Sequence, residues 1–129
     1  MTTVVEIKPE VQRLQEWRSF LSKASYADIT DVGDMAASFE MARALKDIGV
    51  SPIVNVACNE RNEREIRSYF ERAQNEGVQD VLVLAGNDWN RTVRPTDMMK
   101  AASDCGLYVG AVLNTNASDR SAEIELARR

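Results

Sequence analysis

The sequence predicts an α/β protein of about five β-strand/α-helix units in a single domain, residues 1–129, and three observations predict it. A glycine-punctuated junction recurs, with Gly49, Gly77 and Gly106 each closing a helical segment just before an apolar run. The runs that follow are continuously apolar, Val81-Leu82-Val83-Leu84 most clearly, as suits strands buried on both faces of a parallel sheet. The segments between them carry helical spacing. The glycine interval is close to thirty residues, the length of one strand with its helical crossover.

The elements follow in order. The first strand is expected over Thr3 to Ile7 and the second over Tyr26 to Thr30. Leu14, Trp17 and Leu21 fall at i, i+3, i+7, as do Met41, Leu45 and Ile48. Ile66, Tyr69, Phe70 and Ala73 complete a full helical stripe. Asn62 and Glu65 have the spacing of a capping box ahead of it. A fourth helix is expected over Thr96 to Asp104, with Pro95 near its start, and a fifth from Ser118-Asp119 onward. Two architectures share this run of elements: a doubly wound sheet, and a partial TIM (β/α)₈-barrel-like parallel sheet of five consecutive units.

Bulk properties narrow the function classes. The formal net charge is −4, which disfavours nucleic acid as a partner. No apolar run reaches the length of a membrane span, and the N-terminus lacks the basic start and apolar core of a signal peptide. A cytoplasmic location is expected. Cys58 and Cys105 form no CxxC pair and read as thiols of a reducing compartment. The chain has no histidine, which removes the commonest general base and metal ligand, so no metal site is expected.

In either architecture ligands gather beyond the C-terminal ends of the strands. The residues there form a polar rim: Glu6 and Lys8, then Thr30, Asp31 and Asp34, then Asn55, Cys58 and Asn59, then Asn87 and Asp88, then Asn114 to Asn116. Carboxylates can move protons when burial raises their pKa, and carboxamides can bond the edge of a heterocycle. Most polar residues at strand ends are simply loop residues. Glu6 stands apart, because it interrupts an otherwise apolar strand of Val4, Val5 and Ile7. Leu84-Ala85-Gly86-Asn87-Asp88 lacks a phosphate-loop pattern. Cys58 has no obvious base nearby and reads as a packing residue. Trp89 either stacks on a planar ligand or covers the end of the sheet.

The order of these segments resembles the methylenetetrahydrofolate reductases, flavin-dependent (β/α)₈ barrels, over the first five units of the family barrel. The carriers are Val4-Val5-Glu6-Ile7-Lys8-Pro9, Asp28-Ile29-Thr30-Asp31, Ser51 through Asn62, Asp80 through Asp88, and Val109-Gly110-Ala111. The third and fourth segments together are the most specific. The resemblance implies that Glu6 is the proton donor to the folate nitrogen and that Thr30 lies near the flavin. It places Asn55 where the family has a histidine, and Asn87 where it has an aspartate beside flavin and pterin, with Asp88 one residue on as a substitute acid. It further implies FAD as cofactor, NAD(P)H as reductant and a folate-type substrate of one-carbon metabolism. With five units the sheet would keep open edges. The chain is therefore expected to be incomplete alone, and to be a homo-oligomer or to pair with a completing subunit. The alternative is a non-catalytic binding or assembly subunit.

Overall fold

A computed structural model describes residues 3–58, 61–85, 93–114 and 122–126. Five parallel strands alternate with helices in one sheet. The strands are β1 (Val4–Ile7), β2 (Tyr26–Ile29), β3 (Ser51–Ala57), β4 (Asp80–Leu84) and β5 (Tyr108–Asn114). The helices are α1 (Leu14–Leu21, entered through a 3-10 turn at Val11–Arg13), α2 (Met35–Asp47), α3 (Glu63–Glu76) and α4 (Pro95–Asp104).

The strands pair in sequence order, β1-β2-β3-β4-β5, and every pair among them is parallel. A doubly wound sheet reverses its order at a switch point, so this order excludes that alternative. Right-handed crossovers between sequential neighbours put all the helices on one face of the sheet. The packing agrees. Leu21 of α1, Phe39, Met41 and Leu45 of α2, Ile66 and Phe70 of α3, and Met98 and Ala102 of α4 share one core with Ile7, Ile29, Val54, Val81 and Val109. Each fully buried Leu, Ile or Phe contributes about 1.5–3 kcal/mol, so this core is a main source of the fold's stability.

Local chemistry sets the helix ends. Asn62 accepts from the Glu65 amide at 2.8 Å while the Glu65 carboxylate accepts from the Asn62 amide at 3.2 Å, completing the box read from the sequence. Such a cap contributes about 1 kcal/mol. Asp34 caps α2 by accepting from the Ala37 amide. Pro95 occupies the first turn of α4, where its missing N–H costs nothing. Gly77 ends α3 at φ +71°, in the left-handed region where a side chain would be strained.

One element departs from the sequence reading. Where a fifth helix was expected from Ser118-Asp119, residues Ala122–Leu126 form β6, antiparallel to β5, with Ala111 opposite Glu125 and Leu113 opposite Glu123. The physical reason lies in the segment itself. Ala-Glu-Ile-Glu-Leu alternates apolar and polar with period two, the strand period rather than the helical one. The sheet thus has β1 and β6 at its edges. No helix among the described residues is long and apolar enough to cross a membrane.

Candidate functional site

Side chains alternate between the two faces of a strand, so the residues absent from the helix-covered core define the opposite face. On that face the register places Glu6, Asp28, Ile53, Asp80 and Tyr108 on one rung across β1 to β5. The next same-face rung, nearer the strand C-termini, carries Asn55, Leu82 and Gly110. Ile53 and Leu82 are buried, 3% and 2% exposed, yet stand outside the helix-side core. They form the apolar floor of this face, and the polar residues are grouped beside them on β1, β2 and β3.

Four polar side chains meet there. Thr30, immediately after β2, donates its hydroxyl to Glu6 Oε1 at 3.3 Å. Glu6 is exposed on the edge strand, so its carboxylate keeps its water and does not bear the burial cost inferred from its apolar neighbours in sequence. That cost falls one strand over. Asp28 is only 5% exposed and Asn55 only 4%. Burial pushes the Asp28 carboxyl up from 3.8 to about 7; the nearby Glu6 charge adds to the rise, and a hydrogen bond from Asn55 partly offsets it. Asp28 Oδ1 and Asn55 Oδ1 are both buried with no hydrogen-bond partner.

Of the residues singled out in the sequence, the structure brings together Glu6, Thr30 and Asn55. Asn87 and Asp88, with Trp89, lie outside the described residues. Asp28 was missed as a site residue. The available signal was its place inside a four-residue strand, Tyr26-Ala27-Asp28-Ile29, an acid flanked by apolar neighbours in the same way as Glu6.

Asp31 follows Thr30 but serves a different end. It accepts from the Gly33 amide at 2.9 Å and from the Ala57 amide at 2.8 Å, and it pairs with both terminal nitrogens of Arg61. Arg61 also donates to the Ala57 carbonyl at 2.8 Å and to the Tyr69 hydroxyl at 2.9 Å, and its guanidinium lies over the Tyr69 ring. Burial alone would raise the Asp31 pKa, but the Arg61 bond and the two backbone amides outweigh it and hold the carboxyl below its ordinary value. Burial, reinforced by the Asp31 charge, pushes the Tyr69 hydroxyl up to about 12, so it stays protonated. This clamp ties the β2–α2 loop to the end of β3 and to α3. It fixes the strand that carries Asn55.

Among the described residues, two cavities lie elsewhere. One of about 330 Å³ sits at the N-terminal ends of the strands, among Lys46, Ser51, Gly77 and Asp80. The other, about 230 Å³, lies between Gly33, Met35, Arg61 and Tyr69, against the clamp. Cys58 is buried in the helix-side core, as a packing residue would be. Among the described residues no three His, Cys, Asp or Glu side chains are grouped to hold a metal ion.

The chain matches no family model, and it matches none of the curated proteins with which it was compared.

Proposed function

We propose that this is a cytoplasmic flavin- and folate-binding protein of the methylenetetrahydrofolate reductase type, acting on the helix-free face of its sheet. The observation that carries the reading is the convergence of Glu6, Thr30 and Asn55 there. They come from three different strand ends far apart in sequence, and the Thr30 hydroxyl bonds the Glu6 carboxylate. The residues present fit a planar heterocycle. The buried, unpartnered Asn55 Oδ1 offers an acceptor to a ring N–H, and the apolar Ile53 and Leu82 beside it keep its surroundings dry. When bound, FAD would supply hydride transfer to 5,10-methylenetetrahydrofolate, with NAD(P)H as the source of the hydride. The chain's own tasks are to hold the ring edges through Thr30 and Asn55 and to present Glu6, from which a bound ligand would displace water, as the proton donor to the folate nitrogen. The Thr30 hydroxyl orients that carboxyl.

A positioned general acid contributes about a hundredfold or more to the rate. Glu6→Gln is therefore expected to cut folate turnover at least about a hundredfold while flavin titration, followed by the visible spectrum and tryptophan quenching, stays close to wild type. Unchanged turnover in the variant would remove Glu6 from the mechanism.

A second reading, a binding or assembly subunit completed by another chain or another copy, has its own observation. Among the described residues β1 pairs on one side only, with β2, and its Val4 is 44% exposed. An unpaired parallel edge is a template for another strand. Sedimentation of the full chain at rising concentration is expected to reveal association. A monodisperse monomer throughout would count against this reading.

A further inference from the structure

We propose that Asp28 and Asn55, together with Glu6, form a subsite on the helix-free face for a planar organic cation bearing N–H donors, an amidinium or guanidinium group. The inference uses the same face as the folate reading but requires no flavin and no redox chemistry, and it stands or falls separately.

The argument begins with unmet hydrogen-bonding capacity. Buried polar atoms are almost always paired, because an unpaired one costs about 1–3 kcal/mol. Here two acceptor oxygens on neighbouring strands of one face, Asp28 Oδ1 and Asn55 Oδ1, are buried without a partner. Both belong to side chains more than nine-tenths buried. Ser38 carries the other unpartnered oxygen among the described residues, but it sits alone on α2. The Asn55 amide bonds the Asp28 carboxyl, which leaves one acceptor oxygen of each side chain without a donor, and a ligand that donates would satisfy both.

The charge around them selects a cation. On this face the described strands β1 to β4 carry the carboxylates Glu6, Asp28 and Asp80 and no Lys or Arg. Facing Asp28 are Glu6 from β1 at the same rung, Ile53 and Asn55 from β3, and Asp80 beyond them on β4. None of these supplies a positive charge. Burial lifts the Asp28 pKa towards neutrality, and a bound cation would bring it back down.

Geometry favours a planar cation over a metal ion. Asp28 on β2 and Asn55 on β3 are diagonal neighbours one same-face rung apart, close enough for their side chains to bond each other, so a flat group with N–H donors along one edge can reach both oxygens. A hard divalent ion wants six or more oxygens, and no three metal-ligating acids or thiols are grouped among the described residues. The Thr30 hydroxyl is already directed to Glu6, which leaves that carboxylate aligned on the same side.

Benzamidine is the probe. Titrated into the full chain and followed by calorimetry and by nitrogen–proton correlation spectra, it is expected to bind saturably and to shift the Asn55 side-chain amide signals. Asp28→Asn, which keeps the shape and removes the charge, is expected to weaken binding at least about tenfold, as loss of a charge-assisted pair does. Asn55→Leu should weaken it independently, and circular dichroism checks that each variant folds. Absence of saturable binding to the wild-type chain, or binding unchanged in Asp28→Asn, overturns the proposal. So does calcium or magnesium shifting the same Asn55 signals at lower concentration than benzamidine, since that assigns the subsite to a metal. Failure of flavin to bind leaves this result untouched.

Discussion

Asp28→Asn is expected to raise stability at about pH 8 by roughly 2–4 kcal/mol, and to change it little at about pH 4. The sign follows from the direction of the shift. The folded state raises the Asp28 pKa from 3.8 to about 7, so the folded chain holds that proton more tightly than the unfolded chain does. Its contribution is most favourable below the unfolded value and is lost progressively as pH rises from about 4 to about 7. Above that the wild type carries an ionised carboxylate among Glu6, Ile53 and Asn55, with a buried oxygen unpaired. The amide removes the charge at nearly constant volume. Urea midpoints of both proteins across the range check this: the two curves should meet in acid and diverge toward alkaline pH. Parallel curves would mean that Asp28 is no more buried in solution than an ordinary surface acid. A substitution that stabilises the fold while weakening benzamidine binding would mark Asp28 as a residue retained against the interests of stability.

The contrast between Asp28 and Glu6 indicates how far the sequence could be read. Both are acids within short apolar strands, and local pattern alone gives them equal standing. What separates them is sheet order. Glu6 lies on the edge strand β1, while Asp28 lies on β2 between two neighbours, so water reaches one carboxylate and not the other. The repeat of glycine junctions, the α3 stripe and the Asn62–Glu65 cap were legible because each depends on residues within one or two turns of each other. β6 was not, because its alternation spans only five residues and its pairing with β5 is not encoded in them. Nor was the clamp. Asp31, Ala57 and Arg61 are assigned to one another by the close approach of the β2–α2 and β3–α3 connections, which no local period encodes.

Removal of that clamp is expected to have the largest destabilising effect of any single change here. Asp31→Ala deletes the acceptor of the Ala57 and Gly33 amides and strands the Arg61 guanidinium, whose side chain is 12% exposed. Breaking a buried pair by removing one partner costs about 3–5 kcal/mol, chiefly because the other charge stays buried. A domain of this size has a total stability of about 5–15 kcal/mol, so the variant should be marginal. Two controls separate the causes. Asp31→Asn still accepts one amide bond and should lose less. Joining Arg61→Met to Asp31→Ala removes the stranded charge and should recover part of the loss, which a double-mutant cycle in urea measures. The acid limb of the wild-type profile tests the same pair. Asp31 has a lowered pKa when folded, so its contribution is present above the ordinary carboxylate value and is lost as pH falls through the depressed folded value. Asp28 and Asp31, three residues apart, therefore pull the profile in opposite directions. The Ala57 amide held by Asp31 lies two residues from Asn55 on the same strand, so Asp31→Asn should also loosen Asn55 and weaken benzamidine binding without touching the probe.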